Sequence, residues 1–347
     1  MKKTLNLVPI VFFVWTIMIN PIVSAQTKGG AADFYKGATL NFIVPYAPGG
    51  TYDLWARVLA PQFEKYTGAR VLVQNLAGAA GLVGGAHLYS LAKPDGLTFG
   101  IFPMPGMVVA EMLEFEAARF GLGKFAYIGR VEVMDRGLFA SKASNFKSIS
   151  DMQKATKTIR FGTVDPTSQS SVDEALFAEA LGLKAKIIPG YKGSKEYMLA
   201  LIAGRELEAA TTTLAGYEEH VKKGELTLLA VMGKKRIPAF PEVLTFMETQ
   251  GVNPEGKKLI ELLDILTDGG RMILAPPDVP EERRLFLEKA LLASLKDTAI
   301  LDWAKKGGYY ISPLSGRECK QLIDRLMEIV PKAERPRIKH IVTQKFF

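Results

Sequence analysis

The chain has 347 residues, a net charge of +8 and a single cysteine. A chain of this length usually folds around more than one hydrophobic core, so two lobes are expected. Basic and acidic residues are interleaved and form no basic run or aromatic-basic ladder, which argues against a nucleic-acid partner. Cys319 has no cysteine with which to form an internal disulfide, and its place among Leu322 and Leu326 predicts a core position.

The N-terminus has the pattern of a secretory signal peptide. Two lysines at positions 2 and 3 precede an apolar run over residues 5–19, and Val23-Ser24-Ala25 forms a small-residue cleavage site. The alternative is an uncleaved membrane anchor, but the apolar run is short for a bilayer span. We therefore expect residues 1–25 to be a signal peptide that is cleaved after Ala25, which makes the mature protein an exported one.

A first glycine-rich turn lies in residues 42–53, FIVPYAPGGTYD. The pattern predicts a strand, a Pro/Gly turn and a helix that begins at Thr51. The first N–H groups of a helix have no acceptor within the helix, so this turn favours an anion. A plain strand–helix connection is the alternative.

A second glycine-rich turn occupies residues 75–85, NLAGAAGLVGG. Its glycines at 78, 81 and 84 do not match the G-x-G-x-x-G dinucleotide fingerprint, so no nucleotide cofactor is predicted. The small residues at 77–81 would let a ligand approach the backbone closely. Tight packing of helix on strand is the alternative use of the same glycines.

A third junction follows a strand predicted at residues 158–161. The turn GTVDPTSQS, residues 162–170, leads into a helix that Gly182 ends. Hydroxyls at Thr163, Thr167 and Ser168 could donate hydrogen bonds to an oxygen-rich ligand, although hydroxyls here are commonly helix N-caps.

Short strands and helices alternate along the whole chain, which predicts α/β layers with largely parallel sheets. Ligands of such sheets bind beyond the carboxyl ends of the strands, where all three polar junctions lie. The three junctions could therefore face one common cleft. The basic tail after Pro336 is expected to fray.

No pattern in the chain predicts catalysis, a metal or a cofactor. The three histidines lie far apart in the sequence, and no nucleophile elbow, P-loop or metalloprotease motif occurs. Asp53, Asp135 and Asp165 are the carboxylates nearest the expected cleft, and turn or capping roles are commoner for such residues than acid/base catalysis. The composition favours binding over turnover.

Several segments together resemble the substrate-binding proteins of tripartite tricarboxylate transporters, the TctC-like or Bug receptors. The resemblance covers essentially all of the expected mature chain, and its segments agree with the family in order and spacing. They are residues 44–57, 75–85, 93–101, 189–209, 224–231, 237–252 and 275–280.

The resemblance implies a two-lobed periplasmic-binding-protein fold of type II, with mixed, mostly parallel sheets flanked by helices. One lobe would hold residues 28–136 plus 267–347 and the other residues 137–266. The protein would be a periplasmic, non-enzymatic monomer that binds a small carboxylate in the interlobe cleft. Its partners would be the membrane subunits of a tripartite transporter.

The resemblance also implies the ligand-binding residues. In the first lobe they are Pro48, Gly49, Gly50, Thr51, Asp53, Asn75, Ala77, Gly78, Ala79, Ala80 and Gly81. In the second lobe they are Thr163, Asp165, Thr167, Ser168, Tyr191 and Thr212.

Three features depart from the family pattern: the second-lobe turn, the insertion of Gly190 before Tyr191, and the hinge segment Met134-Asp135-Arg136. The second-lobe turn is commonly rich in glycine and serine, whereas Asp165 stands here and would repel a second carboxylate unless it is turned away or pairs with a cation. Arg136 could be a counter-charge, with a surface arginine as the plainer interpretation. Dicarboxylates, tricarboxylates, aromatic acids, amino acids and neutral molecules all remain possible ligands.

Two other functions remain open at this point. A sensor that signals to a kinase would need the same cleft and closure, and an exported enzyme could use the same scaffold. The scarcity of paired acids and bases argues against the enzyme.

Overall fold

The computed structural model describes residues 30–233 and 235–347. The predicted signal peptide, residues 1–25, lies outside the described residues. Among the helices of the described part, none is both long and apolar enough to cross a membrane.

Eleven strands are present in the described residues, and eight of them overlap a strand that the sequence predicts. In chain order they are β1 (Thr39–Val44), β2 (Arg70–Asn75), β3 (Thr98–Pro103), β4 (Ala126–Glu132), β5 (Arg136–Ser141), β6 (Ile159–Gly162), β7 (Ala185–Ile188), β8 (Ala209–Thr213), β9 (Leu226–Met232), β10 (Arg271–Ala275) and β11 (Ile311–Ser315). The extended region predicted over residues 127–140 is divided into β4 and β5, and β11 has no counterpart among the predictions.

Thirteen α-helices connect these strands in the described part of the chain. They are α1 (Ala31–Tyr35), α2 (Thr51–Thr67), α3 (Leu82–Ser90), α4 (Met104–Met112), α5 (Ile149–Gln153), α6 (Gln169–Leu181), α7 (Ser194–Ile202), α8 (Glu218–Lys222), α9 (Pro254–Thr267), α10 (Glu281–Ser294), α11 (Thr298–Gly307), α12 (Gly316–Met327) and α13 (Arg335–His340). Helix α4 was not predicted from the sequence. It is apolar on nearly every side and therefore has no amphipathic period.

The helix boundaries follow the predicted capping signals. Helix α2 begins at Thr51, continues through Pro61 and ends where Gly68 adopts a left-handed conformation. Ser148 and Asp151 form the predicted capping box of α5. Gly182 is the left-handed residue that ends α6.

The strands form two mixed sheets flanked by helices. The first has the order β11-β4-β10-β3-β1-β2 and the second the order β7-β6-β8-β5-β9. Mixed sheets were expected, but the expectation that they are mostly parallel is wrong: of the nine pairings between described strands, four are parallel and five antiparallel. The physical reason is the entry point of β5 and β10: each strand starts at the end of the sheet where its two neighbours end, and it therefore runs antiparallel to both.

An apolar layer joins the two sheets. Helix α4, which follows β3, packs against α6 and α9, which flank the second sheet. Met104 and Met107 of α4 share one buried cluster with Phe177 and Leu263. Burying apolar side chains from both sides in one cluster favours close approach of the two sheets.

The C-terminal tail is ordered, which corrects the expectation that it frays. Helix α13 is followed by a π-helical turn over Ile341–Lys345, and Phe346 is only 7% exposed. The N–H of Ile187 on edge strand β7 donates a hydrogen bond of 2.7 Å to the carbonyl of Phe346. The tail is ordered because its apolar residues cover a side of α6 and its backbone pairs with a strand edge.

Replacing Phe346 with alanine is expected to lower the free energy of unfolding by about 3 kcal/mol, because a buried aromatic ring is lost and a cavity remains. Urea unfolding of the variant measures the change. The matched control is Phe347→Ala, which removes a more exposed ring and should cost less. Equal and small effects of the two substitutions would contradict the packing of the tail.

Candidate functional site

The carboxyl ends of the parallel strands of both sheets meet at one cleft. In the first sheet, Arg271 at the start of β10 pairs with Pro103 and Glu132 at the ends of β3 and β4. In the second, Arg136 at the start of β5 pairs with Thr213 and Met232 at the ends of β8 and β9. The three polar junctions follow β1, β2 and β6 and therefore lie along this cleft, as expected for open α/β sheets.

Asp53 organises the first glycine-rich turn. Its Oδ2 accepts hydrogen bonds from the N–H of Gly49 at 2.9 Å and from Nε of Arg57 at 2.8 Å, and its Oδ1 accepts one from Nδ2 of Asn75 at 3.0 Å. Burial favours the protonated carboxyl, but these hydrogen bonds prevail and hold the pKa of Asp53 below its ordinary value. Asp53 is buried and both of its carboxylate oxygens accept hydrogen bonds, so its side chain supports the turn from inside.

Exposed backbone remains available in this turn. Pro48, Gly49 and Gly50 are exposed, and Thr51 begins α2. The N–H groups of the first helical turn have no acceptor within the helix and point out of its end. This part of the turn can bind an anion through the backbone.

The second glycine-rich turn has an unusual backbone. Four consecutive residues, Gly78 to Gly81, have positive φ, and two of these are Ala79 at 43° and Ala80 at 51°. A residue with a Cβ in this region costs on the order of 1 to 3 kcal/mol and persists only where its surroundings enforce it. Such strain clusters at ligand sites.

Tyr46 and Asn75 join the two turns. The Tyr46 hydroxyl donates a hydrogen bond of 2.8 Å to the carbonyl of Ala80, which holds the strained residue in place. Nδ2 of Asn75 donates to the carbonyl of Tyr46 at 2.9 Å as well as to Asp53. The structure thus brings the two predicted first-lobe turns together.

The third junction is held by its own hydroxyl groups. Oγ1 of Thr163 lies 2.7 Å from the hydroxyls of Ser168 and Ser170, and Ser168 caps α6. Thr163 and Ser168 are buried, so these two predicted ligand residues stabilise the turn from inside. Asp165 and Thr167 are partly exposed at its tip.

Two further residues, Tyr191 and Thr212, were predicted to bind the ligand from the second lobe. Tyr191 has a hydrogen-bond partner within the protein, and Thr212 is buried. The Tyr191 hydroxyl donates a hydrogen bond of 2.7 Å to Oε1 of Glu206. The Gly190 N–H bonds the carbonyl of Val164 at 2.9 Å, so the Gly190–Tyr191 turn runs beside the third junction. Thr212 is buried in β8 opposite Gly137.

Arg136 is a buried arginine, which corrects the interpretation that it lies on the surface. Its Nε donates a hydrogen bond of 2.6 Å to Oδ2 of Asp173, and both side chains are almost fully buried. Burial raises the pKa of Asp173, although Arg136 and a hydrogen bond from Gln169 oppose that shift. Arg136 lies at the cleft because the chain crosses from β4 to β5 at this point.

Arg271 is the corresponding buried arginine of the first sheet. It forms an ion pair with Glu132, and its guanidinium lies 4.7 Å from the ring centre of Tyr52. Glu132 also accepts a hydrogen bond of 2.9 Å from the indole of Trp55. Each sheet therefore contributes one neutralised guanidinium to the cleft.

Tyr46, Tyr52 and Arg271 were not selected from the sequence, and Arg136 was considered only as a possible counter-charge. Both tyrosines flank the predicted turn in the segment YAPGGTY. An aromatic residue on each side of a run of small residues could have indicated that the two rings lie beside the turn. The arginines each open a short apolar strand, RGLFAS and RMILA. A charged residue at the start of an otherwise buried strand could have marked both as cleft residues.

A cavity of about 10 Å³ lies at the crossing between the sheets, lined by Glu132, Asp135, Arg271 and Tyr310 among others. This volume is about that of one water position. Burial, followed by the nearby charge of Glu218, raises the pKa of Asp135 to about 6. The cavity belongs to the crossing segment at the edge of the cleft.

A wider groove of about 790 Å³ lies on the outside of the first sheet, between α10 and α12. None of the three polar turns reaches it, and Arg284 in its lining is paired with Glu281 and Glu288. The groove is therefore separate from the glycine-rich turns.

Cys319 is fully buried, in agreement with its predicted core position. Burial raises the pKa of its thiol to about 12. A thiol that is buried and protonated is a poor nucleophile.

The family model described as "Tripartite tricarboxylate transporter family receptor" matches residues 55–328. The chain belongs to this family. A UPF0065 protein from the TAR-I ttuE-ttuC' intergenic region of Agrobacterium vitis is 30% identical to the receptor over 276 residues, which cover 78% of this chain and 75% of the relative.

Two solved structures from Rhodopseudomonas palustris share the fold of the receptor. MatC with bound malate has a TM-score of 0.70 and 19% identity, with coverage of 88% of this chain and 99% of that chain. Rpa4515 with adipate has a TM-score of 0.70 and 19% identity, with coverage of 88% and 97%. The two mixed sheets flanked by helices are thus the fold of these two structures.

Proposed function

We propose that the mature protein is a periplasmic receptor that binds a small organic carboxylate and delivers it to the membrane subunits of a tripartite transporter. The observation that carries the proposal is the run of positive φ over Gly78–Gly81, held against the helix-opening turn at Gly49–Thr51. Strained backbone beside free N–H groups is the arrangement expected of an anion site. Relatives of the same fold with malate and adipate support a carboxylate.

The ligand would lie between two lobes, residues 28–136 plus 267–347 and residues 137–266. The segments between β4 and β5 and between α9 and β10 connect the two sheets and support this division. The segment 335–347 follows the first lobe in sequence and contacts the second, so it would join them. Closure on the ligand requires higher affinity for the closed state than for the open one.

The residues divide into three groups in this proposal. Backbone N–H groups of Gly50 and Thr51 and of Ala77, Gly78, Ala79 and Ala80 would bind the carboxylate directly. Pro48 has no N–H group, and the N–H groups of Gly49 and Gly81 already bond Asp53 and the Gly78 carbonyl, so these three residues would shape the turns. Asp53, Asn75, Thr163 and Ser168 would keep the turns in shape. Asp165, Thr167, Tyr191 and Thr212 would surround the far end of the ligand, with Tyr191 leaving Glu206 to do so.

We propose further that the protein is a monomer and that it binds its ligand without converting it. The cleft carboxylates Asp53, Glu132 and Asp173 each pair with an arginine, which occupies oxygens that a general base would need for its substrate. A site whose donors are backbone N–H groups and whose carboxylates are paired with arginines is suited to binding a ligand and not to converting it.

A thermal-shift screen of the mature protein against mono-, di- and tricarboxylates, aromatic acids and amino acids tests the function. A ligand at about 100 times its dissociation constant should stabilise the protein by roughly 2.7 kcal/mol. We expect at least one acid to raise the melting temperature. Stabilisation by neutral or cationic compounds alone would contradict the carboxylate assignment.

A further inference from the structure

The second glycine-rich turn contains two alanines in a conformation that alanine rarely adopts. Ala79 has a φ of 43° and Ala80 a φ of 51°. The left-handed region is unfavourable for any residue with a Cβ, so contacts from the surroundings must hold the two residues there. A hydrogen bond of 2.9 Å from the N–H of Gly81 to the carbonyl of Gly78 supplies one such contact within the turn.

Tyr46 supplies a contact from outside the turn. Its hydroxyl donates a hydrogen bond of 2.8 Å to the carbonyl of Ala80, which lies 34 residues further along the chain. Its ring packs against the same turn, because a Cβ on Gly81 would lie 3.5 Å from Cζ of Tyr46. A hydrogen bond to the Ala80 carbonyl fixes the direction of the peptide group that follows Ala80 and so restrains the strained backbone.

Tyr46 is itself fixed by residues of a strand and a helix. Its carbonyl accepts a hydrogen bond of 2.9 Å from Nδ2 of Asn75, the last residue of β2. Its ring centre lies 4.8 Å from that of Tyr52 in α2, and the guanidinium of Arg271 lies 4.7 Å from the ring centre of Tyr52. The Tyr46 hydroxyl therefore has a defined position, to which the Ala80 carbonyl is drawn.

The conformation of Ala79 and Ala80 sets the direction of their N–H groups. Successive N–H groups in a turn of this kind can form a concavity that binds anions. In a relaxed turn these groups would point elsewhere, and an acid would have to order the turn when it binds. Such ordering lowers affinity, whereas a turn that is already ordered avoids the cost.

We propose that Tyr46 is a positioning residue of the receptor, whose hydroxyl holds the Ala79–Ala80 backbone in the conformation that binds the ligand carboxylate. This inference rests on the proposed function and adds the residue that prepares the site before the ligand arrives. A hydrogen bond that maintains strain contributes little to the stability of the free protein, because the strain offsets it. Its effect should therefore appear in affinity.

Tyr46→Phe tests the inference, because it removes the hydroxyl and keeps the ring against Tyr52. The probes for titration calorimetry are malate, adipate and the acid that gives the largest shift in the thermal-shift screen. We expect each acid that binds the wild type to bind the variant at least about tenfold more weakly. Urea unfolding of the free variant measures its stability.

Tyr127→Phe is the matched control. The Tyr127 hydroxyl also donates a hydrogen bond of 2.8 Å to a backbone carbonyl, that of Leu122, whose φ is negative. Its loss releases no left-handed strain and lies outside the two glycine-rich turns. We expect this variant to keep the wild-type affinity and to show a larger fall in the midpoint of urea unfolding than Tyr46→Phe.

A second substitution distinguishes positioning from a general structural role. Glycine adopts a positive φ without the cost of a Cβ, so Ala80→Gly lessens the need for the hydroxyl. Added to Tyr46→Phe, it should raise affinity by about threefold or more. In the otherwise wild-type protein, where the hydroxyl already holds the turn, Ala80→Gly should not raise affinity.

The outcomes separate the inference from the function. Wild-type affinity in Tyr46→Phe, or no gain when Ala80→Gly is added to it, overturns the inference while carboxylate binding stands. A Tyr46→Phe variant that does not fold also overturns it, because the hydroxyl would then be required by the whole fold and not by the turn. If no acid of the screen binds the wild type, the function itself is wrong and the inference falls with it.

Discussion

Replacing Arg136 with methionine is expected to lower the free energy of unfolding by about 3 to 5 kcal/mol. The substitution leaves the buried carboxylate of Asp173 without its counter-charge, and an uncompensated buried charge is strongly destabilising. Urea unfolding at neutral pH measures the loss. Arg160→Met is the matched control: the Arg160–Glu208 pair is partly exposed, so its loss should cost less than about 1 kcal/mol.

The loss should depend on pH in a definite direction. Without Arg136, the pKa of folded Asp173 lies still further above its unfolded value. A buried carboxyl with a raised pKa destabilises the protein least when it is protonated. The free energy of unfolding that the variant loses should therefore be largest at neutral pH and become smaller toward about pH 4. A deficit that stays constant over this range would contradict the assignment to Asp173.

Removing both charges together should restore stability. In the double variant Arg136→Met with Asp173→Leu, no buried charge remains, and replacing a buried ion pair with apolar residues is often neutral or stabilising. We expect its midpoint of unfolding to lie close to that of the wild type. A double variant as unstable as the single one would show that the cost comes from lost packing and not from charge.

Replacing Gly50 with valine is expected to reduce ligand affinity by more than about 100-fold, equivalent to about 2.7 kcal/mol. Gly50 is the N-cap of α2, and a valine side chain there would occupy the space above the free N–H groups. Calorimetry with the best carboxylate from the thermal-shift screen measures the loss.

The fold should survive this substitution. The φ of Gly50 is −79°, which any residue adopts, and the nearest atom to an added Cβ is the Ala47 carbonyl oxygen at 3.7 Å. The weaker N-cap should cost no more than about 1 kcal/mol. Gly123→Val is the control, since Gly123 is exposed, has open space around it and lies outside the cleft. Normal binding by the Gly50 variant would remove the first turn from the site.

The backbone of the predicted turns follows from local sequence. Gly49, Gly78 and Gly81 all have positive φ, as expected where glycines cluster between a strand and a helix. Gly68 and Gly182 end their helices for the same reason. Such features depend on a few neighbouring residues, so they can be predicted from the sequence.

The roles of side chains in those turns were harder to predict. Asp53 was selected as a ligand residue, yet its carboxylate is buried against Gly49, Arg57 and Asn75. Thr163 is likewise turned inward onto Ser168 and Ser170. A polar residue in a turn can face the ligand or the turn itself, and the sequence pattern is the same in both cases.

The sequence by itself determined the α/β class, most strands and helix boundaries, the glycine turns and the membership of the family. These depend on hydrophobic periodicity, on local conformational limits and on short motifs. The tertiary structure alone decided the antiparallel entry of β5 and β10, the ordered tail, and the buried pairs Arg136–Asp173 and Arg271–Glu132. Each of these depends on partners distant in the chain, whose meeting is fixed by packing and by the cost of leaving a buried charge or strand edge unpaired.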